Sequence, residues 1–416
     1  MSYKKMYPWI LVGLLWGVGL LNYLDRQMLA TMQSAIAVDI EALQSATKFG
    51  FLMGIFLWVY GFMSPVAGVI ADKVNRKWVI IASLFVFSAV TFGMGLATNY
   101  TQLYILRAIM GVSEALYLPT GLALIADFHK KKTRSLAIGI HMTGLYVGSA
   151  LGGFGGTFSL AHSWHTTFHT IGIIGMVYAL VLIVFLKESK AHVHRKTEPL
   201  QQQKPPLLKG LAVLFTNISF WVILLYFAVP SLPGWATKNW LPTLFHNNLE
   251  MPMASAGPLS TITLAASSFI GVIFGGYLSD KWVQKNVKGR VYTGAIGLAL
   301  TLPGLIFLGF GHTIVLLMAA GICFGIGFGM FDANNMPILC QFVSSKYRGT
   351  AYGVMNMVGV FSGAFITDFL GRATDAGHLG RDFSLLAVIV LIAIIVQITC
   401  LNPKANDFDE LREGEA

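Results

Sequence analysis

Charged residues are scarce in this chain: only 12% of its 416 residues are Asp, Glu, Lys or Arg. Soluble proteins are about 25% charged on average. A soluble chain of this length would form about two or three domains, and the charged residues present are too few to cover their surfaces. Because 55% of the residues are hydrophobic, intrinsic disorder is excluded as well.

Cysteine is also rare, and Cys323, Cys340 and Cys400 lie far apart in apolar runs. No CxxC or Cys/His spacing indicates a disulfide framework or a metal site. The chain carries no ATPase signature and no set of residues typical of nucleophilic catalysis. We therefore expect neither an enzyme nor a bound cofactor.

Long apolar runs, by contrast, are abundant, as at 78–97 and 383–401. A run of about 20 apolar residues spans a bilayer as a helix, and helices are the default because lipid offers no partner for open backbone groups. The sequence predicts an all-α polytopic membrane protein with twelve transmembrane helices, near 9–38, 48–72, 77–97, 101–128, 134–160, 165–186, 215–246, 255–281, 291–311, 312–340, 349–371 and 380–401.

Basic residues give the expected orientation. Most of the 29 Lys and Arg residues precede the first span, follow the last, or lie between an even-numbered span and the next. The positive-inside rule then places both termini in the cytoplasm, here of a bacterium, with the chain in the inner membrane. The net charge of +10 is a topology signal, so nucleic acid is not an expected partner.

A short motif occurs twice. Residues 68–72 read Gly-Val-Ile-Ala-Asp, and residues 276–280 read Gly-Tyr-Leu-Ser-Asp. Arg76 and Arg290 are 214 residues apart, as are Arg134 and Arg348. Internal repetition of this kind indicates a duplicated fold.

The polar segment 187–214 contains three successive glutamines and three prolines, which are typical of a linker. We therefore expect an N-terminal bundle of six helices at 1–186, a cytoplasmic linker at 187–214, a C-terminal bundle of six at 215–401 and a cytoplasmic tail at 402–416. The duplication predicts that the two bundles are pseudo-symmetric.

The loop Gly68-x-x-x-Asp72-x-x-x-Arg76-Lys77 resembles the signature loop of the major facilitator superfamily, with Asn75 where that pattern has Gly. The resemblance covers the whole chain. It implies two bundles around a central site that opens to each side in turn. Asp72 and Arg76, with the repeated residues Asp280 and Arg290, would then form latches between helices, without contacting substrate.

Four charged residues lie inside predicted spans: Asp25 and Arg26 in the first, and Arg107 and Glu114 in the fourth. A charge at mid-bilayer costs about 2.5–3.5 kcal/mol, so it needs a partner, water or a function. Two neutralised ion pairs that only hold helices together are one interpretation. The second half has no such cluster at the matching positions, which favours a functional role.

Residues 22–26, Asn-Tyr-Leu-Asp-Arg, together with Arg107-x-x-x-Gly111-x-x-Glu114 and Pro119, resemble the anion:cation symporter branch of the superfamily. That branch includes bacterial sugar-acid transporters, sialin and the vesicular glutamate transporters. The resemblance implies that Arg26 binds the substrate carboxylate and that Asp25 and Glu114 carry protons, with Arg107 as their partner. Substrate contacts would come from Tyr23, Tyr60 and Asn356.

Four further polar residues have open roles. Lys238 lies in a proline-rich segment and either reaches the outer membrane interface or contacts substrate. Asp332, Asn334 and Asn335 either line an inner gate or substrate surface, or only satisfy the helix backbone.

Taken together, these features predict a monomeric, proton-coupled symporter in the lipid bilayer. It would import a small organic anion, such as a hexuronate, an aldonate or sialic acid, and sodium is an alternative coupling ion. One rival is a spinster-like transporter of lysolipids or sphingolipids, whose members also resemble the chain at the buried charges. A second rival is a membrane receptor that binds the anion without moving it.

Overall fold

The computed structural model describes residues 3–129, 131–189, 207–343 and 347–403. The regular structure in these residues is helical throughout, including a short 3-10 turn at Glu41–Gln44. In chain order the helices are α1 (Tyr3–Thr31), α2 (Gln33–Asp39), α3 (Ala46–Lys73), α4 (Arg76–Met94), α5 (Tyr100–Phe128), α6 (Lys131–Gly152), α7 (Gly155–His162), α8 (Trp164–Phe185), α9 (Leu207–Phe215), α10 (Ile218–Leu249), α11 (Met253–Val283), α12 (Gly289–Phe310), α13 (Ile314–Asp332), α14 (Asn335–Phe342), α15 (Arg348–Asp375) and α16 (Leu379–Cys400).

Among the described residues, ten membrane spans are single helices, an eleventh, Ile314–Phe342, combines α13 and α14, and a bent pair, Leu136–Gly152 with Gly155–His162, makes up a twelfth. The predicted all-α polytopic fold is therefore confirmed. The predicted continuity of three spans is wrong: 9–38 breaks at Met32, 134–160 bends by 45° after α6, and 312–340 breaks between α13 and α14. Helix α9 lies within the segment expected to be a linker, whose residues 190–206 are outside the described part of the chain.

The internal repeat is visible in matching contacts. Helix α5 ends at Phe128 and α14 ends at Phe342, 214 residues later. Arg134 Nη2 donates to the carbonyl of Ala126 at 3.2 Å, and Arg348 Nη2 donates to the carbonyl of Cys340 at 2.9 Å. Each arginine thus satisfies a free carbonyl in the last turn of the preceding helix, where a positive charge is favoured. The two bundles, α1–α8 and α10–α16, are pseudo-symmetric, as predicted.

The bundles meet along two seams, one between α3 and α15 and one between α6–α7 and α11. A Cβ on Gly371 would lie 2.6 Å from the carbonyl oxygen of Ala46, and one on Gly257 would lie 2.4 Å from that of Gly153. Only glycine permits these approaches. Both seams lie at the end of the molecule where α3 and α11 begin. We call this end the opposite side, because α1 begins at the other end.

Hydrogen bonds reinforce closure of the opposite side. The carboxylate of Asp375 accepts from Ser45 Oγ and Ala46 N, both at 2.7 Å, and from Thr47 N at 2.9 Å. Asp375 therefore caps the N-terminus of α3 from the other bundle, where free N–H groups and the helix dipole favour an anion. Across the second seam, Thr157 Oγ1 donates to the carbonyl of Ala254 at 2.7 Å.

Candidate functional site

A cavity lies between the two bundles and is lined by residues of both. The first bundle contributes polar side chains from α1 and α6, namely Tyr23, Gln27, Tyr146 and Ser149. The second contributes polar side chains from α10, α11 and α13, namely Thr237, Lys238, Ser260, Thr261, Ser268 and Asp332. A cavity shared by both bundles changes shape when they rock, as an alternating-access site must.

Two cations lie close to the ring of Trp235 on α10. The Cζ atom of Arg26 lies 4.1 Å from the ring centroid and the Nζ atom of Lys238 lies 4.8 Å from it. Cations are attracted to the faces of aromatic rings. Neither cation forms a salt bridge with a carboxylate of the described residues. The Nη2 atom of Arg26 is buried without a hydrogen-bond partner, so positive charge at this point is incompletely satisfied.

Asp25, Arg107 and Glu114 form a more deeply buried group, each with 2% of its surface exposed. Thr91 Oγ1 donates to Asp25 Oδ2 at 2.9 Å, and Arg107 Nη1 donates to Met110 Sδ at 3.3 Å. Asp25 Oδ1 and Glu114 Oε2 are buried without partners.

One aromatic ring lies close to both Arg107 of this group and Arg26. Phe56 on α3 lies 4.7 Å from the Cζ of Arg107 and 5.1 Å from that of Arg26, measured to the ring centroid. Arg107 and Glu114 lie two turns apart on α5 and so share a face. The interpretation as two neutralised ion pairs stays open: none of the four charges forms a salt bridge with a described residue, but Arg107 interacts electrostatically with Asp25, and Arg26 with Glu114.

The structure places only one of the predicted substrate contacts in the cavity lining. Tyr23 lines the cavity, whereas Arg26, Tyr60 and Asn356 do not belong to its lining. The side chain of Asn356 on α15 interacts with the hydroxyl of Tyr60 on α3, across the seam between the bundles. The side chain of Arg26 is 9% exposed, and its Cζ atom lies 4.1 Å from the centroid of the Trp235 ring.

Lys238 lines the cavity, so the interpretation that it reaches the membrane interface is wrong. Its backbone carbonyl accepts a hydrogen bond from Gln27 Nε2 at 2.9 Å, which ties α10 to α1. Asn334 Nδ2 donates to the carbonyl of Met330 at 2.8 Å and stabilises the break between α13 and α14. Asn334 and Asn335 are both buried and lie outside the cavity lining.

Asp332, which the sequence grouped with Asn334 and Asn335, does line the cavity, and its Oδ1 accepts from Asn335 Nδ2 at 3.1 Å.

Arg76, which is predicted to belong to a latch between helices, contacts the end of α5. Arg76 forms a buried salt bridge with Asp127, in the last turn of α5, and donates to the carbonyl of Ala123 at 3.4 Å. The side chain of Asp72 lies outside the described part of the molecule. The repeated pair does meet, with Arg290 Nη2 3.6 Å from Asp280 Oδ1.

Known proteins resemble the chain along its length. The hexuronate transporter of Bacillus subtilis strain 168 is 26% identical, over 94% of this chain and 96% of that protein. The sphingosine-1-phosphate transporter of Xenopus tropicalis is 24% identical, over 94% of this chain and 81% of that protein. A bacterial homologue of the human lysosomal transporter Spinster, solved in an inward-facing and unoccupied conformation, superimposes with a TM-score of 0.80 at 19% identity, covering 98% of this chain and 99% of that one.

The family follows from the extent of the match. A sequence profile described as Major Facilitator Superfamily matches residues 15–367, and the fold of the two bundles agrees with it. Proteins of this fold are transporters that need no cofactor, so the chain is a transporter and not an enzyme. A hexuronate transporter stands among the relatives, in agreement with the branch that the buried charges indicated. The chain is a multi-pass membrane transporter and belongs to the Major Facilitator Superfamily.

Proposed function

We propose that the protein is a proton-coupled symporter that imports a small organic anion, an acidic monosaccharide of the hexuronate, aldonate or sialic acid type. The observation that carries this proposal is the pair Arg26 and Lys238, both within 5 Å of the Trp235 ring centroid, at or beside the cavity and without salt bridges to described residues. A guanidinium binds a carboxylate through two parallel hydrogen bonds. An anion bound at this point supplies the negative charge that pairs with the two cations.

The wall of the second bundle supports a hydroxyl-bearing substrate. The hydroxyl groups of Thr237, Ser260 and Thr261 all line the cavity and donate to carbonyls of their own helices. Their protons are thus engaged, and their remaining lone pairs can accept hydrogen bonds. Sugar hydroxyl groups are suitable donors.

Asp25 and Glu114 are the proposed proton carriers. Both are buried next to the cations, and each has a carboxylate oxygen without a hydrogen-bond partner. An anion that binds at Arg26 changes the electrostatic potential at both carboxylates, and linkage makes the effect of proton and substrate on each other reciprocal. The two ligands therefore bind cooperatively and cross together.

A spinster-like lipid transporter is the second candidate, supported by the sphingosine-1-phosphate transporter among the relatives. Apolar side chains, including Leu241, Leu264 and Phe324, also line the cavity. The hydroxyl groups and the two charged residues in the lining favour the sugar acid. An acyl chain would leave the hydroxyl lone pairs and both charges without partners.

Thermal unfolding of the purified protein tests these alternatives. Glucuronate, gluconate and sialic acid should raise the melting temperature, since a ligand present at 100 times its Kd stabilises the folded state by about 2.7 kcal/mol. A lysolipid and the hydroxyl-free dicarboxylate cis,cis-muconate serve as comparisons. Stabilisation by the lysolipid alone would favour the second candidate. Counterflow in proteoliposomes, which a receptor cannot support, separates transport from binding.

We also propose that both termini are cytoplasmic in the bacterial inner membrane, so that the two seams close the outer side. In a background without the three native cysteines, Gln202→Cys should react with an impermeant maleimide in inverted vesicles and not on intact cells. The reason is the excess of basic residues in the linker and the loops on the same side. Labelling on intact cells would reverse the orientation.

A further inference from the structure

Asp332 is the acidic side chain in the cavity lining. It lies at the end of α13, its surface is exposed, and its Oδ1 accepts one hydrogen bond from Asn335 Nδ2 at 3.1 Å. It forms no salt bridge with a described cation. A carboxylate can accept about four hydrogen bonds, so Asp332 retains acceptor capacity towards the cavity.

The charges follow one another along the cavity. Arg26 lies 4.1 Å from the Trp235 ring, and Lys238 lies 4.8 Å from that ring and 5.9 Å from the ring of Phe328. Phe328 precedes Asp332 by four residues on α13, so the two share a face of the helix, and both line the cavity. Arg26 and Asp332 therefore occupy the two ends of this row, and Lys238 interacts electrostatically with both.

We propose that Asp332 selects sugar acids with one carboxylate against those with two. This inference rests on the proposed function, because it places the substrate carboxylate at Arg26. The far end of such a substrate then approaches Asp332. A hydroxyl group there donates to the carboxylate, whereas a second carboxylate meets a like charge in a cavity that screens poorly. Specificity of this kind comes from repulsion of the wrong ligand as much as from attraction of the right one.

Matched pairs of open-chain sugar acids test the proposal. Gluconate and glucarate share a six-carbon chain and differ only in whether the last carbon is a hydroxymethyl or a carboxylate group, and galactonate and galactarate form a second pair. The Kd of each is measured by calorimetry on the purified full-length protein. We expect the wild type to prefer the monocarboxylate at least tenfold. Asp332→Asn should reduce this preference at least fivefold, through tighter binding of the dicarboxylate and weaker binding of the monocarboxylate.

Two control variants separate charge from structure. Asp332→Glu keeps the negative charge and should keep the preference. Asp368→Asn removes a carboxylate that accepts from Trp58 Nε1 at 3.3 Å and lies outside the cavity lining, so the preference should not change. The melting temperature of each unliganded variant checks folding.

The possible outcomes are distinguishable. Equal affinity of the wild type for both members of a pair, or an unchanged preference in Asp332→Asn, overturns the inference and leaves the proposed function standing. If the wild type binds none of the monocarboxylates, the proposed function itself fails and the inference fails with it.

Discussion

Glu114→Gln is expected to abolish accumulation of substrate under an imposed pH gradient, while exchange of labelled for unlabelled substrate is partly retained. Glutamine resembles the protonated carboxyl in shape and charge, so the variant can still change conformation but can no longer carry the proton. The wild-type side chain is 2% exposed, with Oε2 buried and unpartnered. Moving such a carboxylate in its charged form through a closed, dry interface is costly.

Two assays on the same proteoliposomes measure this effect: uphill uptake with a pH gradient, and counterflow without one. Glu41→Gln makes the same chemical change at an exposed position in the 3-10 turn and should behave like the wild type in both. Wild-type accumulation by Glu114→Gln would show that the coupling assignment is wrong. Loss of accumulation, counterflow and binding together would make Glu114 a binding or structural residue, and Asp25 would become the better coupling candidate.

Arg26→Lys is expected to weaken binding of acidic sugars about tenfold or more, although it keeps the positive charge. A hydrogen bond to a charged group contributes about 1.5–3 kcal/mol, and a factor of ten in Kd corresponds to about 1.4 kcal/mol. Lysine cannot reproduce the planar fork that binds both carboxylate oxygens. It also cannot stack as a plane beside Trp235, which lies 4.1 Å from the guanidinium carbon.

Arg372→Lys provides the matched control. Its guanidinium carbon also lies near an aromatic ring, 5.5 Å from the centroid of Phe51, but the side chain is exposed and lies outside the cavity lining. Calorimetry should give it a wild-type Kd. Equal binding by the wild type and by Arg26→Ala would refute the role of Arg26 as the carboxylate anchor.

The sequence alone was sufficient for properties that depend on local composition. Apolar runs of bilayer length predicted the spans, and the repeated motifs predicted two pseudo-symmetric bundles, because both signals are carried by neighbouring residues. The sequence alone also identified Asp25, Arg26, Arg107 and Glu114 as candidate site residues. A charge inside an apolar span is conspicuous whatever its neighbours are, since its insertion is costly.

Helix breaks were not predicted from the sequence. The bend after α6 occurs where Gly153 packs against Gly257 of the other bundle, a contact that has no signature within its own span. The break between α13 and α14 is stabilised locally, by the bond from Asn334 Nδ2 to the carbonyl of Met330 four residues earlier, but the continuous apolar pattern of the two helices conceals it.

The partners of charged residues could be found only in three dimensions. Arg76 pairs with Asp127, 51 positions away in the chain, and Arg26 shares the Trp235 ring with Lys238 of the other bundle. Asp332 becomes part of the cavity only because the face of α13 that carries it turns towards the other bundle. Periodicity fixes which residues share a face of a helix, but the side chains of the neighbouring helices decide which face meets the cavity.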